Sequence, residues 1–121
     1  MILTTKKRIL LFVIGVLAFA AVVYFIVTKK SAAEVNRDEI TLALQDIAAH
    51  AQTHFRRTDS FTGWVLPSSL KFEKIGRFRE KVDYNQVKIF AVGTELGING
   101  ISNVNLEATI TGRNLKINIR N

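Results

Sequence analysis

The sequence predicts an α+β chain: an N-terminal transmembrane helix, then an amphipathic helix packed on a small antiparallel β-sheet. Three observations carry that expectation. Residues 9–27 form an uncharged apolar run, and residues 39–57 place apolar side chains at helical spacing. After Pro67 the apolar period falls from 3.6 to 2, the signature of strands.

The apolar run from Ile9 to Val27 reads ILLFVIGVLAFAAVVYFIV. At 1.5 Å per residue such a helix reaches about 28 Å, close to the thickness of bilayer hydrocarbon. Tyr24 lies one turn inside its end, where an amphipathic ring prefers the interface. Lys6, Lys7 and Arg8 flank one end, Lys29 and Lys30 the other, and their stems can carry the charge out to headgroups. Ile9, Gly15, Tyr24 and Val27 thus mark an expected membrane anchor. Gly15, Ala18 and Ala21 give it a small-residue face for association with other helices, without a GxxxG pair. Ala18-Phe19-Ala20 also fits a signal-peptide cleavage pattern, but the apolar run continues beyond it, which favours a span. Basic residues are balanced across the segment, so charge alone does not orient it.

Four segments are therefore expected: a basic N-terminus over 1–8, a spanning helix over 9–28, a linker and amphipathic helix over 29–57, and a sheet over 58–121. Asn36 and Glu39 have the spacing of a capping box. Ile40, Leu44, Ile47, Ala48, Ala51 and Phe55 form the apolar stripe, leaving Gln45, Asp46 and Gln52 outside. Thr58, Asp59, Ser60 and Gly63 end the helix, and Pro67 prevents early resumption. Strands are expected over 77–82, 86–92, 104–110 and 115–119, with Gly112-Arg113-Asn114 as the turn of a closing hairpin. Residues 93–103 read as a long connection.

The chain carries seventeen Lys and Arg against ten Asp and Glu, and no cysteine. Disulfides and thiolate metal sites are thereby excluded. Five of the cations bracket the apolar run. The rest alternate with acidic residues, as in Lys71, Glu73, Lys74, Arg77, Arg79, Glu80 and Lys81, with no aromatic-interleaved basic stripe. Nucleic acid is not an expected partner.

Asp46, His50 and His54 follow one another at i, i+4 spacing, close enough on one helix side to share a metal ion or haem. The competing reading is a polar border beside Ile47, Ala51 and Phe55. No Gly-rich phosphate loop or serine nucleophile motif is present, so neither an enzyme nor a cofactor is expected. Phe61 and Trp64 lie in the distinctive Ser60–Pro67 cluster, where they either contact a partner or fold back over the core. The Gly93–Gly97 stretch offers the same two readings.

Basic N-terminus, apolar helix, amphipathic extension and antiparallel sheet together resemble the type IV pilin and pseudopilin group. Asn36-Arg37-Asp38, residues 46–52, Phe55-Arg56-Arg57, residues 60–64, residues 67–70 and residues 93–97 resemble uncharacterised pilin-like membrane proteins of bacteria. The resemblance implies an inner-membrane anchor with the C-terminal domain in the periplasm. The Gly-Phe cleavage point and membrane glutamate of pilins are missing, since Lys7-Arg8 runs into Ile9 and no acidic residue precedes Glu34. The expected role is a non-enzymatic, pilin-like structural or interaction protein of the envelope, with the lipid bilayer and other membrane subunits, or self-association through the helices, as partnerships. The alternative is a small accessory subunit of a larger photosynthetic or respiratory membrane complex, steering an acidic partner through its basic charge.

Overall fold

Ser31 opens the long helix α1 (Ala32–Thr58): its backbone is extended, and its hydroxyl accepts the Glu34 N–H at 3.2 Å. Ser31-Ala32-Ala33-Glu34 thus has the capping-box spacing, and the helix begins before the expected start at Asn36. Asn36 is not a cap; it lies inside the helix and is buried. Glu34 in the first turn and Arg56 and Arg57 in the last suit the helix dipole. Asp59, with φ of 56°, ends the helix in the left-handed region and returns its N–H to the Phe55 carbonyl at 2.7 Å.

The computed structural model describes residues 7–9, 12–19 and 30–121, and the chain divides into compact units at the 30/31 boundary. In the second unit a short 3-10 turn (Ser68–Leu70) leads into β1 (Gly76–Val82), β2 (Val87–Leu96), β3 (Asn103–Ile110) and β4 (Leu115–Ile119). These pair antiparallel in sequence order as a meander. The strand expected over 77–82 is a full member of the sheet. The second strand runs on to Leu96, so the expected long connection after Val92 shortens to a turn.

Strand alternation sends Phe78, Val87, Ile89, Ala91, Val104, Leu106, Ala108 and Ile110 to one face, where all are buried. Against them α1 places Ile40, Leu44 and Ile47 with Ala43, Ala48 and Ala51. The three helix alanines, with Ala91, Ala108 and Gly93 opposite, let the helix axis come close to the sheet. Each fully buried aliphatic side chain here contributes roughly 1.5–3 kcal/mol by removal from water.

Two side-chain amides lock the helix to the sheet at its ends. Asn36 donates from Nδ2 to the Ile75 carbonyl at 2.8 Å, while its Oδ1 accepts the N–H groups of Thr94 at 3.0 Å and Glu95 at 3.3 Å. Those N–H groups lie where the β2–β3 register shifts between Val92 and Leu96. Asn103 Nδ2 donates to the Gly93 carbonyl at 2.9 Å in the same irregular stretch. Gln52 Nε2 donates to the carbonyls of Thr111 at 3.1 Å and Asn114 at 3.3 Å. Beside it, Phe55 stacks obliquely on Phe61 at 4.7 Å and lies so close to Gly112 that a Cβ there would meet the ring at 2.4 Å.

The expected transmembrane architecture requires correction. Among the described residues no helix is long and apolar enough to cross a membrane. In the 9–28 stretch the longest described helical piece is residues 12–19. Ile9 and Gly15 fall within described helical residues, while Tyr24 and Val27 lie outside the described residues, as do Lys6 and Lys29. The single-pass anchor and the inner-membrane location inferred from it are therefore not supported. The α+β body of residues 31–121 stands without them.

Replacing Asn36 by Ala strands three backbone groups at once. The variant should unfold about 2–4 kcal/mol more easily in urea, given 1–3 kcal/mol for each buried polar group left unmatched. Gly93→Ala should be comparably destabilising, because its Cβ would collide with Asn36 Oδ1 and lie 3.0 Å from Val104 Cβ.

Candidate functional site

The face of the sheet turned away from α1 carries the unusual chemistry. Its residues follow from register. One row across the strands reads Arg79, Phe90, Glu107, Asn118; the next reads Lys81, Lys88, Thr109, Lys116. On the other side of the first row lie Arg77, Val92 and Asn105, with the Arg120 guanidinium reaching Glu107. Six cations thus share the strands of this face with one carboxylate, Glu107, and Glu73 borders its Arg77–Val92 end. The strands stand about 4.8 Å apart, so the charges are neighbours rather than isolated surface groups.

Glu107 is 6 % exposed although it belongs to the outer face. Lys88 Nζ lies 3.6 Å from its Oε1, and Arg120 pairs with its Oε2. A carboxylate so covered requires such partners, since a lone buried charge is strongly disfavoured. Lys88 and Arg120 are therefore partly committed within the fold. The other four cations have no carboxylate opposite them in register: Arg77 faces Val92, Arg79 faces Phe90, Lys81 faces Lys88 and Lys116 faces Thr109. Like charges directly opposite across strands are destabilising, so the Lys81–Lys88 pair works against the fold. Phe90 and Val92 sit amid these cations at 37 % and 42 % exposure, an apolar centre in a basic rim.

This face was not visible as a stripe in the sequence because the 77–82 segment mixes signs. The pleat sorts them: Arg77, Arg79 and Lys81 occupy one side of β1, while Phe78, Glu80 and Val82 occupy the other. The signal that could have found it was the i, i+2 spacing of the cations in an expected strand.

The histidine cluster takes a different place. His50 Nδ1 accepts the Trp64 indole N–H at 3.0 Å, and the two rings lie 6.1 Å apart. Trp Nε1 can only donate, so the neutral His50 ring carries its proton on Nε2. His54 Nε2 donates to the Thr62 carbonyl at 3.1 Å. Both imidazoles thus hold the 60–67 segment against α1, and Asp46 remains exposed one turn earlier. Among the described residues no three His, Asp or Glu side chains gather as metal ligands. Phe61 and Trp64 are buried members of the core, with the Phe61 N–H donating to the Tyr84 carbonyl at 2.8 Å. The Gly93–Leu96 stretch is strand rather than loop, with Leu96 exposed at its end.

Comparison of the chain with protein-family models, with curated proteins and with solved structures gives no match.

His50→Ala should lower stability by about 1 kcal/mol through loss of the hydrogen bond, and Trp64→Phe by more, because it loses the same bond and also empties core volume. The double variant should lose less than the sum, and urea titration of the four proteins measures that shortfall.

Proposed function

We propose that the chain is a non-enzymatic interaction protein with a pilin-like body, acting through the outer face of its sheet. The observation that carries this reading is the arrangement around Phe90. Arg77, Arg79, Lys81 and Lys116 bring four cations to a face whose register partners leave them without opposing carboxylates. The Lys81–Lys88 opposition costs folding stability, and only Lys88 is offset within the domain, by its ion pair with Glu107. Such a face gains when an oppositely charged surface covers it. An exposed aromatic with arginines around it also matches the composition of protein interface centres.

The pilin-like part of the reading rests on the sequence resemblance and on the helix-then-sheet order of residues 31–121. The histidines, the residues with most chemical potential, have structural hydrogen bonds to the 60–67 segment. Their use there supports an interaction role over a catalytic one.

Native electrophoresis of the full chain from non-denaturing cell extracts, with mass spectrometry of what migrates alongside, tests the proposal. The wild-type chain should run in a species larger than itself, and Arg79→Glu/Lys116→Glu should shift most of it to the monomer position. His50→Ala should leave the larger species intact. A wild-type chain recovered only as monomer, or a large species indifferent to the double charge reversal, overturns the reading.

A further inference from the structure

The domain that carries the basic face is nearly neutral as a whole. Residues 31–121 contain twelve Lys and Arg and ten Asp and Glu, a net charge of +2. A sheet face with a large positive excess therefore implies an acidic excess elsewhere on the same domain, and the N-terminal half of α1 presents part of it. Ile40, Ala43, Leu44, Ile47, Ala48 and Ala51 are turned into the core, so the opposite side of the helix is set by the 3.6-residue period. Along its N-terminal half stand Asp38 and Asp46, flanked by Glu34 and Glu39, all exposed, while Arg56 and Arg57 occupy the same side only in the last turn. Between them Val35 and Leu42 stand seven residues apart, 42 % and 63 % exposed. That is an apolar centre with an acidic rim, the counterpart in sign and pattern of Phe90 and Val92 within their cations.

The geometry points to a second copy of this chain as the occupant of the basic sheet face, seated by the outer side of its α1. Helix-on-sheet layering is already how α1 packs on the inner face of its own sheet, and the proposed contact repeats that packing with charges added at the rim. The attraction acts between the acidic side of one copy and the basic side of another, and the near-neutral charge of residues 31–121 leaves little repulsion between the two domains to oppose it. The contact joins two different patches, so it is heterologous: in a pair, one copy keeps its helix face unused and the other its sheet face. The inference deepens the proposed role by naming the partner of that same face.

The cysteine-free chain allows a direct test. Gln45→Cys places a single thiol on the outer side of α1, and Thr109→Cys places one on the outer sheet face. The two full-length variants, carrying tags of different mass, are mixed and treated with a short bis-maleimide. The Gln45→Cys/Thr109→Cys heterodimer should dominate over either like-with-like product. Raising ionic strength from about 0.05 to 0.5 M should reduce it several-fold, because the Debye length contracts to a few ångström. Arg79→Glu/Lys116→Glu in both partners should abolish the product, as should Glu39→Lys/Asp46→Lys in both. Combining all four reversals in both partners should restore it. Circular dichroism melts of each variant establish that it is folded.

Equal yields of all three products, or a heterodimer unaffected by charge reversal, overturn the second copy as occupant. If no heterodimer forms while native electrophoresis still shows a reversal-sensitive complex, the occupant is a different acidic protein, and the interaction role survives without this inference. If neither is seen, both fall.

Discussion

The fold depends on one amide. Asn36 sits inside a helix yet serves the sheet, giving its donor to the backbone just before β1 and its acceptor to two consecutive N–H groups late in β2. Those N–H groups belong to a stretch where β2 and β3 are out of regular register, and they would otherwise be left without partners near the core. The amide therefore lets an irregular strand end coexist with a closely packed helix. Gly93 completes the arrangement, because the side chain of Asn36 occupies the space a Cβ would need. At the other end, Gln52 and the Phe55–Gly112 contact hold the closing hairpin to the same helix.

Much of this body was legible in the sequence because its periods are clean. The stripe of Ile40, Leu44, Ile47 and Ala51 could only be one helix face. The alternations of Val104–Ile110 and Leu115–Ile119 could only be half-buried strands. What escaped was set by long-range partners. Asn36 had the spacing of a cap, and nothing local reveals that a segment nearly sixty residues later claims its oxygen. Ser31, with Glu34 three residues on, was the competing capping signal. The extension of β2 to Leu96 likewise rests on side chains from α1 and β3 rather than on its own glycine-bearing composition. The N-terminal expectation failed for another reason: it rested on the 9–27 hydropathy alone, while among the described residues no helix is long and apolar enough to cross a membrane.

The candidate site was harder to read than the fold. Asp46, His50 and His54 stood out by residue type, yet the fold spends both imidazoles on fastening the loop that carries Phe61 and Trp64. The basic sheet face had no distinctive residue at all. Its character comes from strand pleat and cross-strand register, which place cations from β1, β2 and β4 beside one another though they are distant in sequence. Charge counted along the chain looks mixed; charge counted by face is strongly segregated.

That segregation also bears on how the sheet avoids growing sideways. β1 and β4 are its two edges, each a row of backbone groups able to template a further strand. β1 carries Arg77, Arg79, Glu80 and Lys81, and β4 carries Lys116, followed by Arg120. The β4 edge is further broken where the N–H groups of both Arg120 and Asn121 converge on the Asn105 carbonyl. An incoming strand would have to lay its side chains beside these charges. The cations that favour contact across the face therefore also discourage hydrogen bonding along the rim, and the sheet is steered away from amyloid-like extension by the residues that make its flat side adhesive.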